Sequence, residues 1–417
     1  MASKFQPVKG MRDFLPDDAE KLNFVIDTVR NVFERYGFRP LDTPALEGFE
    51  LLSAKGTGEG IRDEIYYFKD KGNRELGMRF DLTVPLFRVF ISNPTMPKPF
   101  KRYAIGKVWR YDNPQAQRYR EFYQADVDII GSSSTQADAE CVSAVIDCLL
   151  ALGIEEFFVR VNNRKLIENM MKISGIPEDK IPDAFRVVDK LDKIGKGGIE
   201  DELEQKGLYT DEIIKFISIT GTNDDIIRQL EKKYKDGIDE IKDLLSAARK
   251  QGFEKYIKID PSLVRGLDYY SGLVFEIMVG DSKVSCAAGG RYDKIIKILG
   301  GPDAPATGFS LGIDRLLPYV KIDGKQKKLF IASTNDAMRE KASEIAKELR
   351  SMNIICDIDV MNRKFNKQIE YADATGANFL VIVGEKELAK NQIKIKNMKT
   401  GEERDISLDK LNELKKV

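Results

Sequence analysis

The stretch Trp109-Arg-Tyr-Asp-Asn-Pro-Gln-Ala-Gln-Arg-Tyr-Arg-Glu-Phe-Tyr-Gln124 sets Arg110, Arg118 and Arg120 around a polar turn, and Phe122, Gln124, Asp126 and Asp128 follow at every second position. Side chains alternate across an extended strand, so Arg118, Arg120, Phe122, Gln124, Asp126 and Asp128 are predicted to share one face. Guanidinium forks clamp phosphate oxygens, an aromatic ring stacks on a base, and an amide beside carboxylates binds a small cation. The same alternation suits the solvated face of an exposed hairpin, and this segment alone leaves both readings open.

The residue types that are missing narrow the chemistry. No histidine occurs among the 417 residues, which excludes imidazole triads, His-ligated metal sites and the usual general base near neutral pH. There is no G-x-x-x-x-G-K-S/T, and Gly56-Thr-Gly58-Glu-Gly60 is not followed by the glycine of the dinucleotide fingerprint, so a nucleotide, if bound, is held another way. Cys141, Cys148, Cys286 and Cys356 are scattered without CxxC spacing, which argues against disulfides and a thiolate zinc site. Lys plus Arg total 67 and Asp plus Glu total 67, so an anionic partner requires a local basic surface.

The elements that must position these residues follow from hydrophobic period. Residues 17–36 carry Leu22, Ile26, Val29, Phe33 and Tyr36 at helical spacing, with Asp17 and Glu20 placed as a capping box and Gly37 as a stop. Pro40 and Pro44 flank a short extended run that reads as an edge strand or a subunit boundary. Runs 65–68, 103–110 and 121–130 are strand-like, the last two forming a long antiparallel hairpin ended by Gly131, and 135–152 is an amphipathic helix. Residues 163–252 are helical in period. Strands resume at 273–279 and 284–288, followed by a Gly-rich turn and a helix near 293–299. Beyond a polar linker, strand 329–332, helix 337–352, strand 354–359, helix 367–375 and strand 379–383 predict a small α/β domain with a largely parallel sheet. No run approaches the roughly 20 apolar residues of a membrane helix, and the start lacks the apolar core of a signal peptide, so a cytoplasmic protein is expected.

Leu263-Val-Arg-Gly-Leu-Asp-Tyr-Tyr-Ser-Gly-Leu-Val-Phe-Glu276, Ala287-Ala-Gly-Gly-Arg-Tyr-Asp293 and Ala306-Thr-Gly-Phe-Ser-Leu-Gly-Ile-Asp-Arg-Leu316 occur in that order. They resemble the two signature segments of histidyl-tRNA synthetases and the third motif of class II aminoacyl-tRNA synthetases. The hairpin resembles that family's second motif, and Lys9-Gly-Met-Arg-Asp-Phe-Leu-Pro16 its N-terminal signature. The resemblance spans nearly the whole chain. It implies an α+β fold: a class II antiparallel sheet flanked by helices, with a helical insertion and a C-terminal α/β anticodon-binding domain. On that reading the catalytic domain comprises residues 1–162 and 253–320, the insertion 163–252, the linker 321–328 and the anticodon domain 329–417.

The implied reaction joins L-histidine and ATP, with Mg²⁺, into histidyl-adenylate and pyrophosphate, then passes histidine to the 3′ end of tRNA(His). The substrate carboxylate is the nucleophile and is ionised at pH 7, so no imidazole base is needed. By resemblance, Arg110 and Arg265 are the catalytic arginines on the α-phosphate, Arg265 also approaching the substrate carboxylate. Arg315 takes the far end of the triphosphate, Phe122 stacks the adenine, and Asp112 and Arg118 complete the ATP set. Asp81, Thr83 and Gln124 match the positions that accept from the α-ammonium. A neutral imidazole needs one acceptor and one donor, and Asp128 and Tyr270 stand where the family places them, with Tyr269 beside. Asn113, Gln115 and Gln117 are acceptor-stem candidates, and no protein ligand is assigned to a metal. A pocket that hydrogen-bonds a polar substrate rejects analogues by roughly 10⁴–10⁵, so no editing domain is expected. The family also implies a homodimer, with the helix from Asp17 and its Pro-bearing strand at the contact. The rivals are a catalytically silent histidine-binding regulatory paralogue, which would lose the arginines and the C-terminal domain, and the tRNA-sensing module of a kinase, whose kinase segments are absent from this sequence.

Overall fold

A computed structural model of the chain describes residues 5–54, 63–114, 117–264, 269–280, 285–322 and 328–416. Two compact units divide at Lys321 and Ile322. No helix among the described residues is long and apolar enough to cross a membrane.

In the first unit the strands are β1 (Arg39–Pro40), β2 (Leu46–Gly48), β3 (Tyr67–Lys69), β4 (Glu75–Met78), β5 (Phe100–Trp109), β6 (Glu121–Ile130), β7 (Phe157–Asn163), β8 (Ile257–Ile259), β9 (Leu273–Val279), β10 (Ala287–Arg291) and β11 (Ala306–Gly312). Eight of them form one sheet in the order β1-β5-β6-β11-β10-β9-β7-β8, and β2, β4 and β3 form a small second one. Every pairing in the large sheet is antiparallel except those of the two outermost strands, β1 with β5 and β8 with β7. Pro40 lies on the outermost β1, where its missing N–H leaves no ladder bond unmade. The long hairpin pairs Phe100 with Ile130 through to Trp109 with Glu121, so its first strand begins three residues before the expected start.

Helices Pro16–Arg35 and Thr135–Ala151 contribute to the same apolar cluster as the central strands, through Val25, Val29 and Phe33 on one and Cys141, Val145 and Leu149 on the other. The expected capping box at Asp17 and Glu20 does not open the first helix: Leu15 is its N-cap, without a side-chain cap, and Pro16 begins the first turn. Proline has a fixed helical φ and no N–H to satisfy, so it starts a helix unaided. Gly37 ends the helix in the left-handed region, at φ +75.

Between β7 and β8 the chain is helical, running through Arg164–Ile173, Ile181–Val188, Leu191–Gln205, Asp211–Ile217, Asn223–Glu231 and Ile238–Lys250. Leu166, Met170, Phe185 and Leu244 from these helices join the apolar cluster of the central sheet. Gly195, at φ +68, kinks Leu191–Gln205. The expected Gly-rich turn is a correction: Gly289 and Gly290 lie inside β10. A Cβ on Gly289 would sit 2.3 Å from the carbonyl oxygen of Gly308 on β11, so these glycines serve close approach of two backbones.

The second unit contains β12 (Leu329–Ser333), β13 (Cys356–Ile358), β14 (Phe379–Val383), β15 (Gln392–Asn397) and β16 (Glu403–Ser407), in the order β13-β12-β14-β15-β16. Helices Arg339–Ser351 and Phe365–Ala374 connect the first three. The largely parallel expectation is corrected to a mixed sheet: β12 pairs in parallel with β13 and β14, while β14–β15 and β15–β16 are antiparallel. The last two strands escape a sequence reading because they are polar in composition. Only the alternation of buried Ile393 and Ile395 with Lys394 and Lys396 betrays a half-buried strand.

Candidate active site

Across the face formed by β6, β10 and β11 lies a cleft of about 730 Å³. Its floor is thin because glycine recurs on the strands: Asp128 pairs with Gly308 and Gln124 with Gly312 across β6 and β11. A Cβ on Gly308 would lie 2.2 Å from Asp128 Oδ1. The sheet therefore leaves room for the longer side chains of β6 to cross it.

Arg110, Asp112, Arg118, Phe122 and Arg315 all line this cleft, although the hairpin and the segment of Arg315 are remote in the chain. Arg110 Nε donates to the Phe80 carbonyl at 2.9 Å, and its guanidinium lies 5.4 Å from the Phe122 ring centroid. Arg118 forks onto Asp112 with two bonds of 2.8 Å. In that pair the Arg118 side chain is half exposed and Asp112 is largely buried. Arg315 Nη1 donates to the Ser285 carbonyl at 2.7 Å. Arg265 and Gln115 lie outside the described residues. Asn113 is exposed on the connecting loop, whereas Gln117, at φ +63, turns into the cleft lining.

Arg120 departs from the shared face predicted for it. Its guanidinium covers the Tyr111 ring at 3.8 Å and donates to the Asp112 carbonyl at 2.9 Å, while its stem rests on Gly10. The strand begins only at Glu121, so alternation does not extend back to Arg120. A second tie to the N-terminal segment runs through Arg12, which donates to Tyr119 Oη at 2.8 Å and Asp314 Oδ1 at 2.7 Å. Asp314 Oδ2 accepts from the Tyr123 amide at 2.6 Å, so the N-terminal signature, the hairpin and the third motif are joined through one carboxylate.

The candidates for amino-acid binding converge on the same cleft. Asp81 Oδ1 accepts from the amides of Val84 at 2.9 Å and Thr83 at 3.2 Å, which open the helix Thr83–Ser92. Burial pushes the Asp81 carboxyl up, opposed by those amides and by the charges of Arg110 and Arg102. Gln124 Oε1 is buried without a hydrogen-bond partner, an acceptor that a bound donor would satisfy. Tyr269 meets Tyr292 and Tyr270 with ring centroids 5.1 and 5.3 Å apart, and burial raises its phenol. Asp128 accepts from the Tyr292 hydroxyl and lies 2.6 Å from Arg102 Nη2. Burial raises the Asp128 carboxyl and Arg102 opposes the rise.

Arg102 and Tyr292 received no role from the sequence, and Asp126 only a place on the predicted face. Asp126 is buried in the lining, bonded to the Ser310 hydroxyl, and pushed up to about 7 by burial, with Arg102 opposing and Asp128 adding to the shift. Its place on the alternating face of β6 was the available signal. Arg102 carried none, because its pairing with Asp128 is a matter of hairpin register. Lys193, from the helical segment between β7 and β8, also reaches the lining.

A helix-flanked antiparallel sheet whose cleft gathers arginines, an aromatic plate and buried carboxylates is the catalytic architecture of a class II aminoacyl-tRNA synthetase. The family model for histidyl-tRNA synthetase matches residues 10–316, and that for the anticodon binding domain matches residues 328–416. The chain is 34% identical to the histidine–tRNA ligase of Pyrococcus furiosus, over 98% of each chain. It is 37% identical to that of Pyrobaculum aerophilum, over 94% of each. The crystal structure of histidyl-tRNA synthetase from Nostoc sp. PCC 7120 superposes with a TM-score of 0.88 at 28% identity and covers all of both chains. The chain belongs to the histidyl-tRNA synthetase family.

Proposed function

We infer that the protein is a histidine–tRNA ligase, which uses ATP to activate L-histidine and then transfers it to the 3′ end of tRNA(His). The observation that carries this reading is one cleft lined at once by Arg110 and Arg315 and by Asp81, Gln124 and Asp128. A histidine carboxylate oxygen bonds to the α-phosphorus as the bond to the β-phosphate bridging oxygen breaks, giving adenylate and pyrophosphate. The negative charge spread over the phosphoryl oxygens calls for preorganised guanidinium groups rather than a proton acceptor.

We assign Arg110 and Arg265 to the α-phosphate, Arg315 to the far end of the triphosphate, Phe122 to the adenine, and Asp112 with Arg118 to the remaining ATP contacts. Asp81, Thr83 and Gln124 take the α-ammonium. Asp128 and Tyr270 take the imidazole, and Tyr269 packs beside it. Asn113, Gln115 and Gln117 are our candidates for contact with the acceptor end of the tRNA, and we assign the anticodon to the second unit.

Among the described residues no three Cys, Asp or Glu side chains come together as a cation cage. Mg²⁺ would accompany the triphosphate here, most of its ligands coming from phosphate oxygens and water. It would supply charge neutralisation there. We place the protein in the cytoplasm as a homodimer joined through Pro16–Arg35 and β1; a monomer that charges tRNA at full rate would overturn that assembly.

The test is histidine-dependent ATP–pyrophosphate exchange together with charging of tRNA(His). Both activities are expected, and Arg265→Ala is expected to lower exchange by about 10²–10³ with the melting temperature unchanged. Histidine binding without exchange would favour the regulatory paralogue instead. Retention of Arg110, Arg118 and Arg315 together with the C-terminal unit argues against that outcome.

A further inference from the structure

Arg102 is completely buried, is absent from the cleft lining, and belongs to none of the sequence motifs. It sits directly across the hairpin from Asp128, where side chains on one face are held within contact distance. Its Nη2 donates to the Leu82 carbonyl at 3.0 Å and stands 2.6 Å from Asp128 Oδ2. Arg102 Nε and Nη1 have no hydrogen-bond partner. A buried guanidinium left half satisfied is poor for stability, because its desolvation is only partly offset. Its placement needs another reason.

We propose that Arg102 is a positioning residue for amino-acid selection: from behind the cleft it orients Asp128 and holds it as an anionic acceptor for the imidazole N–H of the substrate. The proposal rests on the assignment of Asp128 to the imidazole. An ionised carboxylate only accepts hydrogen bonds, whereas a protonated one also donates and would compete with the substrate's own N–H. The groups that face Asp128 are Arg102 on β5, Asp126 on β6, Tyr292 after β10, Tyr269 in the aromatic cluster and Cys141 on Thr135–Ala151, while Asp81 before the helix Thr83–Ser92 faces Asp126 and Tyr269. Arg102 is the single cation in that set. The Leu82 contact also ties the guanidinium to the turn that carries Asp81, so both ends of the amino-acid site depend on one buried charge.

The test is the KM for histidine in ATP–pyrophosphate exchange from pH 6.5 to 9, always as the ratio of variant to parent, which cancels titration of the substrate itself. Arg102→Gln keeps a donor and removes the charge. Its KM ratio is expected to be about 10–100 at pH 7, to fall toward pH 9 as Asp128 ionises unaided, and to leave kcat and the KM for ATP within about threefold. Arg102→Lys keeps a charge on a shorter reach and should give a ratio of about 3–10 with the same fall. A pH-independent ratio, or loss confined to kcat, overturns the proposal. If Arg102→Gln does not fold by circular dichroism, the pH trend of Arg102→Lys decides by the same criterion. Asp128→Asn separates the two levels of the argument: an unchanged KM there removes Asp128 from imidazole recognition, whereas a raised KM beside a parent-like Arg102→Gln removes Arg102 alone.

Discussion

The two sheets of this protein treat buried charge in opposite ways. The eight-stranded sheet and the helices on it bury Arg102, Asp126, Asp128, Asp138, Arg160, Glu276 and Arg291. The strands of the five-stranded sheet in the second unit bury no charged residue among those described: Ser333 is the buried polar residue on them, its backbone bonded to the buried Gln368 side chain of the helix Phe365–Ala374, and the one carboxylate side chain buried nearby, that of Asp359 after β13, is paired with Arg363. Burying a charge is unfavourable unless it is paired, and replacing a buried pair with apolar side chains is often neutral or stabilising. The first sheet thus carries a constellation that stability alone would not maintain, next to a cleft where charges must be preorganised. The second has an ordinary apolar core built from Leu329, Ile331, Val381 and Ile393, so whatever it recognises has to be met by its surface.

That contrast can be broken most forcefully at Arg160, which bonds Asp260 and Glu276 at 2.8 Å each. Arg160→Leu takes a bonded cation away from the fully buried Glu276, and urea unfolding should show a loss of about 3–5 kcal/mol. A loss under about 1 kcal/mol would mean that charge in the first sheet is as dispensable as elsewhere.

Asp126 sharpens the comparison through pH. Its carboxyl is pushed up to about 7 in the folded protein by burial, whereas in the unfolded chain it titrates near 4. The folded state therefore holds an extra proton between those values, and the stability from this group is present at low pH and lost as pH rises through about 7. Asp126→Asn carries no such dependence. Relative to the parent, the variant should gain about 1–3 kcal/mol between pH 5 and pH 8 in denaturant titrations. A constant difference across that range would show that Asp126 is already ionised at pH 5.

Smaller effects are expected in the second unit. Gln368→Leu removes a side chain that accepts from the Ser333 amide and donates to the Ser333 and Arg363 carbonyls, and should cost about 1–2 kcal/mol, with histidine-dependent exchange unchanged. Least of all, Lys394→Ala on the exposed β15–β16 pair with Glu403 should move the melting temperature by no more than about 1 °C.

The hairpin, the first helix, the helical stretch after β7 and the strand–helix alternation near the C-terminus were all legible from period and punctuation. So were Arg110, Phe122, Arg315 and Gln124 as residues of one cleft, through motifs far apart in the chain. Three features were not. Gly289 and Gly290 look like a turn because glycine marks turns and close backbone approach alike, and only the neighbouring strand distinguishes them. Arg120 leaves its expected face because a strand's first residue depends on where pairing begins. The β15–β16 hairpin is built on lysines and isoleucines whose sorting into two faces becomes visible only once one face is covered.

Residue type and order determined the catalogue of chemical groups in this protein: no imidazole, and arginines, carboxylates and an amide set on a few recurring motifs. The tertiary structure decided which of those groups share one low-dielectric space. Asp126 and Asp128 are two positions apart on one strand, yet one bonds Ser310 while the other is held by Tyr292 and Arg102. The reason is that a carboxylate's protonation and direction are set by the charges and donors within a few ångströms of it, and in this sheet those neighbours arrive from strands and segments that are remote in the chain.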